Sequence, residues 1–311
     1  MLLAVDEPEF NSEILYTTVT GFFMQDDPQT DPGSFDYAAR NFGLITRPYD
    51  TDAEYDPDHN KTQWQRFEHQ VFHLNRECEK NVEYKVLYMG RHGEGVHNVA
   101  EVYYGTQAWD EYWSKLDGND TVTWVDAHLT SAGEAQAQIA HQFWKKQIKD
   151  ERIPVPQSFY VSPLFRCLAT AQITFDGLDP PCRGSFNPQV KELIREAIGI
   201  HTCDRRSSRT HIHESFPSYR IETGFKENDE LWMPDIRETN ADQDVRLKKL
   251  LDDVFRHDDS TYVSFTSHSG AIAAILRTIG HQDFPLLTGA IIPVLVKAET
   301  IKENPHVPGV A

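Results

Sequence analysis

Cysteine is scarce in this chain: Cys78, Cys167, Cys182 and Cys203 are the only four, and they are scattered. No CxxC or HExxH spacing occurs, so no metal site is expected. Reduced thiols in the cytoplasm, or also in the nucleus, are the expectation. Positive charge is short as well. Thirty Lys and Arg face 48 Asp and Glu, a formal net charge of −18. That balance argues against general nucleic-acid binding. No stretch approaches the ~18 apolar residues of a membrane helix, and Asp6 and Glu7 come too early for a signal peptide. Internal repeats and low-complexity tracts are missing too. Nothing in the composition speaks to oligomeric state.

What is present suffices for a folded body. A chain of 311 residues, 39% hydrophobic, can bury a real core. Its acidity is uneven: residues 1–60 hold thirteen Asp or Glu and two Arg, a net −11. Turn signals stand at Asp31-Pro32-Gly33 and Asp56-Pro57-Asp58. Yet Phe22, Phe23, Phe35, Tyr37, Phe42 and Trp64 are too many aromatics for a solvated tail. Gln65–Glu79 has a helical pattern. Residues 1–81 therefore read as an acidic extension packed on a core domain spanning 82–311.

From Val82 onward strands and helices alternate. Apolar or β-forming runs occupy Val82–Tyr88, Ser158–Val161, Val190–Leu193, Tyr262–Thr266 and Ile291–Val296. Ser131 and Glu134 have capping-box spacing ahead of a helix through Trp144. Ser162-Pro163 reads as N-cap and N1 of another helix, and Ala271–Ile279 as a third. This alternation predicts an α/β protein, a three-layer α/β/α sandwich with a mostly parallel central sheet.

Four segments gather chemistry where a strand turns into a helix or loop. That is the edge of an open α/β sheet where ligands bind. The first is Arg91-His92-Gly93-Glu94-Gly95-Val96-His97-Asn98. Arg offers a bidentate fork to phosphate oxygens. A helix N-terminus offers free N–H groups, and a neutral His can attack phosphorus. The second is Ser162–Ala171, which sets Arg166 in the first turns of a helix. The third is Ser267-His268-Ser269-Gly270, whose small Ser269 and Gly270 allow close approach to His268. The fourth is Leu193–Gly199, which carries Glu196 and runs into a basic stretch. That stretch holds His201, Arg205, Arg206, Arg209, His211, His213 and Arg220. His211 and His213 would alternate faces of a strand, which makes shared metal ligation doubtful.

Taken together, and in the chain order Arg91-His92, Asn98, Arg166, Glu196, His268, the segments resemble the histidine phosphatase superfamily, in its phosphoglycerate mutase-like branch. The resemblance spans roughly Tyr84 to Ala298. It implies that His92 is phosphorylated and that Arg91, Arg166, His268 and Asn98 hold the phosphoryl group. It implies that Glu196 protonates the leaving oxygen. Glu192 and Glu94 are the neighbouring carboxylates, and Ser269 stands where other branches carry the acid. Asp126-x-x-Leu129-Thr130-x-x-Gly133 also fits the family pattern, read as a helix cap. Gly199-Ile200-His201-Thr202-Cys203-Asp204 resembles a fungal-type subgroup. There the insertion supplies substrate groups, so His201, Arg205 and Arg206 are candidates for a second anionic group, with Ser269 beside the phosphoryl site. The implied activity is phosphomonoester hydrolysis through phosphohistidine on a small phosphorylated metabolite, with no cofactor. A phosphoglycerate mutase and a non-catalytic binding module are the alternatives.

Overall fold

The computed structural model describes residues 12–178 and 186–302. Asp6, Glu7 and Cys182 lie outside the described residues. In chain order the elements are β1 (Ser12–Thr18), α1 (Asp52–Tyr55), α2 (Gln63–Glu77), β2 (Val82–Arg91), α3 (Val96–Tyr104), α4 (Thr106–Glu111), α5 (Ser131–Lys146) and β3 (Ser158–Val161). Then follow α6 (Phe165–Phe175), β4 (Gln189–Val190), α7 (Arg209–Ser215), β5 (Arg220–Ile221), α8 (Asn240–His257), β6 (Tyr262–Ser267), α9 (Ser269–Thr278) and β7 (Ile291–Lys302).

The strands form one seven-stranded sheet in the order β1-β7-β2-β6-β3-β4-β5. β2, β6, β3, β4 and β5 run parallel, while β7 is antiparallel to both β2 and β1. Alternation along β2 shows why both faces are covered. Leu87 and Met89 join the cluster beneath α8 and α9. Val86 and Tyr88, one residue out of phase, join a second cluster with α2 and α5. A period of two sends successive side chains to opposite faces. The fold is the expected α/β/α sandwich with a mostly parallel sheet. Among the described residues no helix is long and apolar enough to cross a membrane.

The aromatics of the N-terminal segment belong to the second cluster. Phe22, Phe23, Tyr37, Phe42, Trp64 and Phe67 are buried there with Tyr88 and Trp144. Phe42 is fully buried, with its ring centroid 4.7 Å from that of Phe143 and 4.8 Å from that of Trp144. β1 adds the edge strand on β7. Nothing in the sequence reading placed it, and it alone pairs with the last residues of β7, Thr300–Lys302.

Several local expectations shift. α5 is capped by Thr130, whose hydroxyl accepts from Gly133 N at 3.1 Å, and not by Ser131. Ser162-Pro163 lies before α6, whose N-cap is Leu164. Leu164 has no side-chain acceptor, and the acceptor comes from a distant loop. Asp126 Oδ1 accepts from Phe165 N at 2.9 Å, so Asp126 caps α6 and not α5. β4 ends at Val190, and Glu192–Ile194 coil into a 3-10 turn. His211 and His213 sit on helix α7, which Ser208 caps. Residues two apart on a helix do not face each other either.

Phe42→Ala should lower stability by roughly 3–5 kcal/mol, the range for emptying a buried aromatic site. The loss should appear in a single urea transition followed by both tryptophan fluorescence and far-UV circular dichroism. Two separated transitions would mean that the N-terminal segment unfolds by itself.

Candidate active site

Strand register alone brings the candidate residues to one sheet edge. Arg91 stands opposite Ser267, Thr266 opposite Val161, and Val161 opposite Val190. The residues that follow these strands therefore emerge side by side. His92 N donates to Ser267 O at 2.9 Å. The rings of His92 and His268 are 5.1 Å apart, and His97 lies 5.5 Å from His92.

His92 is 2% exposed. Its Nδ1 lies 2.7 Å from Gly93 O. A carbonyl only accepts, so Nδ1 carries the proton and Nε2 keeps its lone pair. Burial first, then the Arg166 and Arg91 charges, hold His92 well below the usual imidazole pKa. The result is a neutral imidazole with a free nitrogen, the form that a nucleophile needs.

Arg166 is 1% exposed on the first turn of α6. Its Nη1 donates to Cys203 O at 2.7 Å and its Nη2 to Asp204 Oδ1 at 2.9 Å. Burial is the largest influence and works against this charge, but Asp204 and the other acidic neighbours together outweigh it and keep the guanidinium charged. Asp204 is itself buried, and its other oxygen accepts from Arg237 Nη1 at 2.9 Å. Burial pushes the Asp204 carboxyl up, yet Arg237 and Arg166 hold it below the usual carboxylate range. Arg91 donates through Nη1 to Leu286 O at 2.7 Å. The Nε groups of Arg91 and Arg166 are both buried without a partner among the described residues. Two cations with enclosed, unmet donors are a demand for an anion.

His268 is fully buried at the N-cap of α9. Its Nε2 lies 2.7 Å from Ser162 Oγ and 3.3 Å from Cys167 Sγ. Burial, then Arg166, keeps His268 well below its usual pKa. Burial also pushes the Cys167 thiol up, which makes it a poor nucleophile. Thr170 ties the motif loop to α6: Gly93 N donates to its hydroxyl at 3.0 Å, and the hydroxyl donates to Arg166 O at 2.7 Å. Asn98 Oδ1 accepts from Gly95 N at 2.9 Å, so the donor end of that amide takes no part in the cap.

Glu196 reaches the start of α9. Its carboxylate accepts from Gly270 N at 3.0 Å, from Ala197 N at 2.9 Å and from Gln243 Nε2 at 3.3 Å. A Cβ at position 270 would stand 2.1 Å from Glu196 Oε1, so only glycine admits this approach. Ser269 lies half-buried on the same turn. The neighbouring carboxylates are engaged elsewhere. Glu192 binds Arg195 and Arg206, and Glu94 accepts from the Thr130 hydroxyl.

The basic stretch divides. His201 comes near the site, with its Nε2 3.6 Å from Asp110. Arg205 pairs with Asp117 at 2.8 Å on the rim and lies over Trp232. Arg206 is 1% exposed at its side chain, and its N–H groups go to Glu192 and to the carbonyls of Ser207, Lys226, Glu227 and Asn228. It has no donor left for a substrate and fixes the 226–229 loop instead. Sequence reasoning missed Asp204, Arg237, Ser162 and Thr170 as parts of the site. The resemblance around Gly199–Asp204 marked the segment, but no spacing signal joins Asp204 to Arg166.

His201, Cys203 and Asp204 place ligand atoms within 4.8 Å of one another, the one such group among the described residues. A cation there would have to displace Arg166 and Arg237 from Asp204, and burial raises the Cys203 thiol further from its thiolate. The donor set does not suit a metal.

With this geometry in view, residues 111–291 match the family model of the histidine phosphatase superfamily (branch 1). An Arthroderma benhamiae protein described as "Probable phosphoglycerate mutase" is 54% identical over 307 residues, covering 99% of this chain and 91% of that protein. A Saccharomyces cerevisiae protein, also described as a probable phosphoglycerate mutase, is 31% identical over 246 residues, covering 73% of this chain and 83% of its own length. The crystal structure of phosphoglycerate mutase from Thermus thermophilus superposes with a TM-score of 0.36 at 19% identity, over 67% of this chain and 91% of that one.

Asp204→Asn should leave the buried Arg166 and the half-buried Arg237 without their shared counter-charge. Breaking a buried ion pair from one side costs roughly 3–5 kcal/mol, readable in urea unfolding. Stability should also fall on mild acidification. His92, His97 and His268 are held below the ordinary imidazole pKa of 6.5 when folded and regain it when unfolded. Unfolding then takes up protons, so stability is lost as pH drops through that value. The slope reaches at most about 1.4 kcal/mol per pH unit for each imidazole. Thermal unfolding followed from pH 7.5 to 5 checks the sign, and a flat Tm over that window would contradict it.

Proposed function

We propose, for a chain that belongs to the histidine phosphatase superfamily, that it is a phosphomonoester hydrolase working through a phosphohistidine. Membership supports a phosphatase or mutase activity in general terms. One observation carries the finer reading. A buried neutral His92, with Nε2 unprotonated, stands among two buried guanidiniums whose Nε donors have no partner among the described residues.

In this reading His92 Nε2 attacks phosphorus and the P–O bond to the alcohol breaks. Glu196 delivers a proton to the departing oxygen. Water then attacks the phosphohistidine and gives a proton back to Glu196, and the N–P bond breaks to release phosphate and restore His92. Arg91 and Arg166 neutralise the transferring group, where most of the rate enhancement in phosphoryl transfer lies, and the neutral His268 adds a hydrogen bond to it. Asn98 and Ser269 add hydrogen bonds to it. His201 and Arg205 face the alcohol portion of a small phosphorylated substrate. No step calls on a metal.

The relatives' descriptions name a mutase, which would pass the same phosphoryl group to a second hydroxyl. Hydrolysis is favoured by the charge pairing. Arg195, Arg205, Arg206 and Arg237 all have carboxylate partners, which leaves these side chains little to offer a second substrate anion.

Acid quenching of the enzyme with a phosphomonoester should trap an acid-labile phosphoenzyme, absent in His92→Ala. Phosphate release should equal alcohol release and should survive EDTA. A phosphoenzyme retained in His92→Ala would remove the assignment. Transfer to a second alcohol in place of free phosphate would select the mutase.

A further inference from the structure

His97 is the buried imidazole at this edge that the steps above leave without a task. It lies on the first turn of α3 and is 8% exposed. Neither ring nitrogen has a protein partner among the described residues, and Nδ1 is fully enclosed. Buried histidines that only fill space normally bond a carbonyl or carboxylate, because an unmet buried polar atom is costly. The sequence also makes room for this ring. A Cβ at Gly95 would stand 2.6 Å from His97 Nδ1 and 2.7 Å from its Cε1. Any other residue at position 95 would push the imidazole aside. The groups that act on its charge are Arg166, His92, Arg91 and His201, which places it within the same cluster as the phosphoryl-binding candidates. Burial and those charges keep it neutral, so it carries one N–H. Nδ1 has no acceptor in reach, and a proton there would be buried unmet. The N–H therefore belongs on Nε2, the nitrogen that is not enclosed.

We propose that His97 is a phosphoryl-binding residue whose Nε2–H donates to a non-bridging oxygen of the group attacked by His92. The proposal rests on the reading of His92 as the acceptor of that group. His97 would add a neutral, directional donor to two guanidiniums. That helps where charge builds on oxygen, without lowering the nucleophilicity of the adjacent imidazole as a further cation would.

Three variants separate donor from packing. Gln sets an amide N–H where Nε2 stands, Asn reaches only as far as Nδ1, and Phe keeps the ring volume with no donor. On the full chain, affinity for inorganic phosphate is measured by calorimetry and kcat/KM with p-nitrophenyl phosphate, with thermal unfolding as the check of folding. His97→Phe and His97→Asn should weaken phosphate binding and lower kcat/KM, the latter by ~10²–10³, the scale of one lost oxyanion donor. His97→Gln should recover most of both. A folded His97→Phe with unchanged phosphate affinity and turnover would overturn the proposal. So would a Gln variant as poor as Asn, and that pair decides the matter if the Phe variant does not fold. If the unaltered protein binds phosphate but hydrolyses nothing, the hydrolase reading falls while the affinity comparison still judges His97.

Discussion

The contact between Asp204 and Arg166 sets the electrostatics of the whole sheet edge. Arg166 would be a costly buried charge by itself. Asp204, equally buried, balances it and is in turn shared with Arg237. The shared carboxylate leaves the cluster net positive, and the Nε of Arg166 is still unmet. A positive, enclosed site has a second effect on its imidazoles. Burial and the two guanidiniums drive protons off His92, His97 and His268. Charge for binding an anion and neutrality for attacking it thus come from the same arrangement.

The sheet supplies the geometry that this balance needs. Four adjacent parallel strands, β2, β6, β3 and β4, end at one edge. Each hands over one piece: His92, His268, Arg166 and Glu196. The helices that follow β6 and β3 start at this edge, so their N-termini face the same place. Gly270 lets Glu196 sit against the start of α9, and Asp126 ties the start of α6 to a remote loop. Rigid elements therefore hold the site, and loops trim it.

How much of this could be read in the sequence follows from the range of each interaction. Strands show themselves through local runs of apolar residues, and the order of elements then gives the α/β/α class. The placement of His92 and His268 at strand ends needs nothing more than that. Arg166 is legible through its position after a strand and within a short helix. Interactions that join distant positions leave no such trace. Asp204 meets Arg166 across 38 positions, and Asp126 caps α6 across 39. Ser162 looked like a cap because Ser-Pro often begins a helix, but its hydroxyl meets His268 instead. The basic stretch misled for a physical reason. Composition counts charges without showing that Arg206 is already paired within the fold. β1 was invisible because a short edge strand with mixed side chains resembles a loop until its partner β7 is known.

Attack by His92 depends first on the protonation state of its ring. ¹⁵N NMR of the histidine-labelled protein, with His92 assigned through His92→Gln, reads both ring nitrogens. The expected result is a neutral ring protonated on Nδ1, with Nε2 bare, at pH 7 and still neutral below the ordinary imidazole value of 6.5. An imidazolium at pH 7, or a neutral ring protonated on Nε2, would contradict it.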